Sequence, residues 1–159
     1  MSSKFRQSLM RLDGYQEIDQ KSSKEKDEVI RSSGAGVEEI DFKLGSAVYH
    51  SLQISTDTLT ISIINVSFRF PTEKKSERSK LYSMINAYNK SRIALKAVLG
   101  DVQKEYFEVK FSVEFICPDV LLNDEIIHPA VKVLSTSGRL LLGSLGGHGI
   151  TIKDVKQND

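Results

Sequence analysis

The sequence predicts an α+β domain in which an antiparallel sheet of about five strands carries helices packed on one face. Three observations predict it. Residues 106–116 alternate strictly, with Phe107, Val109, Phe111, Val113 and Phe115 on one side and Glu108, Lys110, Ser112 and Glu114 on the other. Such a pattern marks a sheet with one dry and one wet face. Two segments instead repeat apolar residues at the three-and-four spacing of a helix: Leu81, Met84, Ile85 and Tyr88, then Ile127, Ala130, Val131, Leu134, Leu141, Leu142 and Leu145. The strands come in groups rather than alternating with helices, in the order α-β-β-β-α-β-β-α, which favours antiparallel pairing.

The elements follow in chain order. Residues 3–13 place Phe5, Leu9 and Leu12 on one helical face, and Gly14 supplies a stop. The stretch 20–36 is charged, rich in Ser and Gly and nearly without apolar residues. It cannot offset its own ordering entropy and is expected to be a mobile loop. Val37, Ile40 and Phe42 begin the sheet, and in 47–55 Val48, His50, Leu52 and Ile54 alternate with smaller or polar residues. The polar link 55–58 reads as a hairpin turn. In 58–70, Leu59, Ile61 and Ile63 share one phase, whereas Ile64, Val66, Phe68 and Phe70 take the other. That change predicts a β-bulge near Ile63-Ile64.

Pro71 ends this strand, and a helix over 76–92 is expected, with Ser76 as N-cap and Glu77 in its first turn. Ile93, Leu95, Ala97 and Leu99 then alternate, and Gly100-Asp101 is expected to open a turn into 106–116. Asn123 or Asp124 caps the last helix, 124–145, in which Pro129 sits in the first turn or makes a kink. Gly146-Gly147 ends it. Residues 1–147 thus read as one domain and 148–159 as a loose tail in which Ile150 and Ile152 can dock.

Composition excludes several classes. A chain of 159 residues, 40% hydrophobic and 27% charged, has the make-up of an ordinary globular domain. It lacks Trp, so its core must come from Phe, Ile, Leu and Val. The single cysteine, Cys117, cannot form an internal disulfide and reads as a buried, inert thiol at the end of an apolar strand. No stretch approaches the roughly 20 apolar residues of a membrane helix, and the basic amino terminus lacks the apolar core of a secretory signal. A cytoplasmic location with no membrane contact is expected.

With this order of elements the chain resembles the type III secretion chaperone-like fold, and within it the YbjN-like family. The opening helix ends in Leu12-Asp13-Gly14-Tyr15, similar to that family's helix followed by a glycine-aromatic step. The run from Leu81 to Arg92 is similar to its central helix with two asparagines three apart, Asn86 and Asn89. The strands 93–99 and 106–116 and the final helix complete a likeness over residues 5–145, from which the charged insert 20–36 departs. The resemblance implies a non-catalytic protein, often a homodimer, that binds segments of other proteins or acts in regulation. Secretion chaperones of this fold hold an extended piece of cargo along sheet and helices.

Candidate sites follow from charge. Between Arg69 and Lys96 lie eight basic residues and two acids, Glu73 and Glu77, so this segment carries +6 while the whole chain carries +1. A patch of this kind steers acidic partners. The expected partner-binding residues are Lys74, Lys75, Arg78, Lys80, Tyr82, Lys90 and Arg92, engaging a protein partner from a homodimer. The alternative is a nucleic-acid-associated regulator using the same stretch, with Tyr82 as its aromatic component and Tyr88 assigned to the core. Asn86 and Asn89, one turn apart, are expected to satisfy local backbone groups rather than grip a peptide. The broad apolar stripe through Leu140-Leu141-Leu142 exceeds what a monomer covers and points to a dimer seam.

No catalytic residue, cofactor or metal is expected. His50, His128 and His148 are scattered, and no Cys or His pair has metal-ligand spacing. Asp124-Glu125 fit a helix start, Gly143-Ser144-Leu145-Gly146 lacks nucleophile-elbow spacing, and the late glycines lack the Lys-Ser/Thr of a phosphate loop. Gly34-Ala35-Gly36 follows no credible strand, so it is no dinucleotide fingerprint.

Overall fold

In the computed structural model, residues 2–18, 36–92 and 94–153 are described. The predicted class holds: a six-stranded antiparallel sheet with three helices. The strands are β1 (Tyr15–Ile18), β2 (Gly36–Leu44), β3 (Ala47–Ser55), β4 (Thr60–Pro71), β5 (Leu95–Val102) and β6 (Tyr106–Cys117), in the order β1-β2-β3-β4-β6-β5. The helices are α1 (Lys4–Met10), α2 (Arg78–Ser91) and α3 (Asp124–Leu145). The sixth strand is β1, which no apolar alternation announced. Its Tyr15 ring stacks on Phe42 at 5.3 Å between centroids, and Phe42 stacks on Tyr49 at 5.1 Å. An aromatic stack, not hydropathy, marks this strand.

The residues form two compact units, Met1–Val66 with Val113–Ser135, and Ser67–Ser112 with Thr136–Asp159. In the first unit the core is built from Phe5, Leu9, Ile40, Phe42, Tyr49, Ile64, Leu122, Ile127 and Leu134. In the second it is built from Phe70, Leu81, Met84, Tyr88, Phe107, Val109, Phe111, Leu141 and Leu145. Phe107, Val109, Phe111 and Val113 of β6 are buried as the alternation predicts, while Phe115 is half-buried.

Four local expectations are corrected. First, there is no bulge at Ile63-Ile64 against β3. The pairing of β3 with β4 runs without a slip from Tyr49↔Val66 to Ser55↔Thr60. The buried phase of β4 is Thr60, Ser62, Ile64, Val66 and Phe70, so Leu59, Ile61 and Ile63 lie on the other face. Second, the buried row of β3 is Tyr49, Ser51 and Gln53, opposite in phase to Val48, His50, Leu52 and Ile54. Polar side chains tolerate this burial because each has a partner. Ser51 Oγ donates to Ile40 O (3.1 Å), and Gln53 Nε2 donates to Ser62 Oγ (3.2 Å) and Asp119 Oδ1 (2.9 Å).

Third, β5 continues through Gly100 and Asp101, and the hairpin turn comes later, closed by Gln103 N–H donating to Tyr106 O at 2.8 Å. Gly100 serves packing instead: a Cβ there would lie 3.2 Å from the Glu108 carboxylate. Fourth, Glu77 rather than Ser76 is the N-cap residue of α2. Asn123 caps α3, its side-chain oxygen accepting from Glu125 N–H at 3.1 Å, and Pro129 lies inside the helix. The opening helix is shorter than expected, and Cys117 is half-buried. In the second unit Ile150 is buried and Lys153 N–H donates to Pro71 O at 3.0 Å, so the docking expected of Ile150 occurs. The stretch expected to be mobile lies outside the described residues except for Gly36, as do Ile93 and residues 154–159.

Candidate partner-binding surfaces

The basic stretch falls at two ends of one helix. Lys74 and Lys75 precede α2, Arg78 and Lys80 lie in its first turn, and Lys90 and Arg92 sit at its C-terminal end. Fourteen helical residues separate these groups by about 20 Å. Lys74, Lys75 and Lys80 line a polar cleft of about 290 Å³ together with Glu73, Ser76 and Glu77. Three lysines there face two glutamates, and Lys80 Nζ is 3.1 Å from Glu77 Oε1. Much of the local positive charge is therefore compensated. Arg92 lies over the Tyr88 ring at 5.5 Å, Arg69 over Tyr106 at 4.9 Å, and Arg69 Nε donates to Glu108 at 3.2 Å. Tyr82 is half exposed, whereas Tyr88 is core. The structure thus gathers Lys74, Lys75 and Lys80 but leaves Lys90 and Arg92 apart from them.

Of the asparagine pair, only Asn89 is engaged. Its Nδ2 donates to Ala97 O at 2.9 Å and its Oδ1 accepts from Ala97 N–H at 2.8 Å, while Asn86 is exposed. This is the backbone role expected of the pair. Ala97 thereby has both its groups bonded on the side away from β6, at the sheet's edge.

An apolar surface that the sequence reading did not single out lies in the first unit. Register aligns Val37, Ile54 and Ile61 in one cross-strand row and Leu52 with Ile63 in the next, with Val48 beyond them on β3. These residues face away from the buried phase of β3 and β4. Val48 is 49% exposed and Ile61 37% exposed. The same face carries Glu39 opposite Leu52 and Asp41 opposite His50, and His50 Nδ1 is 2.5 Å from Asp41 Oδ1. Three strands thus present adjoining apolar rows flanked by acids. The signal for it was available, because Leu59, Ile61 and Ile63 alternate cleanly; the expectation of a bulge obscured which face they occupy.

A polar clip fastens the helices of the first unit. Asp124 accepts from Ser8 Oγ at 2.7 Å and from Arg11 Nη2 at 2.7 Å and Nε at 2.8 Å. Those bonds, Arg11's foremost and Ser8's next, hold the Asp124 carboxyl well below the usual carboxylate range. His128 Nε2 is 3.0 Å from Ser8 O. Asp119, from the 3₁₀ turn Asp119–Leu121, accepts from the backbone N–H groups of Lys4 (2.8 Å) and Phe5 (3.2 Å), capping α1 from a distant part of the chain.

Among the described residues no group of three or more His, Cys, Asp or Glu side chains could hold a metal ion. No helix among them is long and apolar enough to cross a membrane. In comparison with known proteins, no family model, curated protein or solved structure matches this chain.

Proposed function

We propose that this chain is a non-enzymatic, protein-binding domain of chaperone-like or regulatory type, acting as a homodimer on a protein partner. The observation that carries the reading is the outer sheet face of the first unit, where Val48, Leu52, Ile54, Ile61 and Ile63 adjoin. Val48 and Ile61 are exposed there while Val37, Leu52, Ile54 and Ile63 are half-buried, and apolar patches rimmed by charge are the usual anatomy of interfaces. The acidic residues Glu39 and Asp41 on the same face add orientation. Support for self-association comes from α3, where Leu140 is 42% exposed beside the buried Leu141. The lysines around the start of α2 supply a second, milder steering element.

The test is affinity capture from the native cell with the wild-type chain and with the double variant Val48→Lys/Ile61→Lys. Both positions are already solvent-facing, so circular dichroism and melting temperature are expected to change little. Proteins retained by the wild type and lost by the variant are the expected outcome. An unchanged set of retained proteins removes the sheet face as the binding surface. Reversing charge at Lys74, Lys75 and Arg78 separates the nucleic-acid alternative: binding of a random DNA oligonucleotide that falls steeply with salt and with this reversal would favour that alternative.

A further inference from the structure

The second unit contains an open cleft of about 500 Å³ with apolar walls and a cationic mouth. Phe68 and Phe70 of β4, Leu142 of α3 and Ile152 supply the apolar lining, and Arg139 and Lys153 supply charge. Its walls are fixed. Lys153 N–H donates to Pro71 O at 3.0 Å, Phe70 stacks on Phe107 at 5.1 Å, and Phe68 meets Phe111 edge-on at 5.9 Å. Gly138 also lines it, and there a Cβ would lie 3.1 Å from the Phe68 ring. Glycine at this position lets the ring lie close against the helix.

The charge pattern identifies the occupant. Among the described residues, no acidic side chain lines the cleft. Arg69 also borders it, but its guanidinium is committed to Glu108 and to the Tyr106 ring. Arg139 and Lys153 have no ion-pair partner among the described residues. Two cations beside an apolar floor match a ligand that joins a large apolar group to carboxylates. The cleft is open, with Leu142 nearly half exposed, so it accommodates a side chain carried on an extended backbone rather than enclosing a small molecule.

We propose that this cleft binds an extended segment of a partner protein in which one or two large apolar side chains are followed by acidic residues. The proposal rests on the protein-binding reading for the nature of its ligand, but it uses a surface separate in sequence from β2 and β3.

The experiment is an NMR titration of the full chain with two unlabelled peptides, Ser-Leu-Phe-Asp-Glu-Ser and Ser-Leu-Phe-Lys-Lys-Ser, at low salt. The acidic peptide is expected to shift the amides of Gly138, Leu142, Ile152 and Lys153, and to bind at least about tenfold more tightly than the basic one, a difference of about 1.4 kcal/mol. The double variant Arg139→Glu/Lys153→Glu is expected to remove this preference, and Arg139→Gln/Lys153→Gln to reduce it, with the dispersion of the remaining amides retained. Absence of localised shifts, equal affinity for both peptides, or indifference to the charge variants overturns the proposal. So does octanoate binding at these amides with neither peptide binding, which would identify a small amphipathic anion as the ligand. Loss of peptide binding leaves capture dependent on Val48 and Ile61 intact, so the two readings fail separately.

Discussion

At the scale of single residues, two side chains carry consequences that their sequence neighbours conceal. Asp124 has its carboxylate fixed by Arg11 and Ser8, which depresses its pKa in the folded state. A group depressed on folding contributes stability that is fully present above its unfolded value of about 4 and is lost as pH falls toward the folded value. Thermal melts across the acid range are therefore expected to show stability declining below about pH 4, and Asp124→Asn is expected to flatten that decline. A variant whose acid limb matches the wild type would show that the clip contributes nothing. Tyr88 presents the reverse case. Its hydroxyl is buried without a hydrogen-bond partner, and burial pushes its pKa up. Its ring meets Phe111 edge-on at 5.7 Å. Tyr88→Phe keeps that ring and removes the unsatisfied hydroxyl, so a gain of about 1 kcal/mol in urea denaturation is expected.

At the scale of elements, the ends of helices and the edge of the sheet are secured by side chains from elsewhere in the chain. The short helix α1, seven residues long, could not persist alone. Ser3 Oγ accepts from Arg6 N–H at 3.0 Å, and Asp119 takes the N–H groups of Lys4 and Phe5. Asn89 does comparable work for β5, the strand at one end of the sheet order. By occupying both backbone groups of Ala97 it leaves fewer free groups along an edge that another strand could pair with. Asn89→Ala is expected to cost about 1–2 kcal/mol and to raise light scattering at high protein concentration. An unchanged association profile would show that the edge is guarded by other means. Between α2 and β5, Ala94 adopts φ +63°, a conformation more at home with glycine.

At the scale of the molecule, charge and apolar exposure point in the same direction. A net charge of +1 supplies no field that commits the protein to a polyanion. Exposed apolar residues instead include Val48 and Ile61 on a sheet face in the first unit and Leu142 at a cleft in the second, with others on α3 and the turn Asp119–Leu121. Light scattering at micromolar concentration is expected to report twice the 17.8 kDa chain mass. Leu140→Glu is expected to return the protein to the single-chain mass. A monomer in the wild type would remove the dimer from the proposed function while leaving the sheet face and cleft to be tested separately.

The sequence by itself determined the α+β class, the grouping of strands, helix α2 with its buried Leu81, Met84, Ile85 and Tyr88, and the inward face of β6. These are patterns in which local period and burial agree, because apolar side chains on one face leave a segment a single favourable orientation. Only the tertiary structure decided the phases of β3 and β4, where Ser51 and Gln53 of β3 turn inward and Val48 of β3 and Ile61 of β4 are left facing water. The reason is that hydropathy counts a polar side chain as solvent-seeking until a partner is in reach, and the partners of Ser51 and Gln53 are Ile40, Ser62 and Asp119, on other segments. The cleft was hidden for the same reason: Phe68, Arg139 and Ile152 are distant in the chain and become one surface only when β4, α3 and the segment at Lys153 pack together.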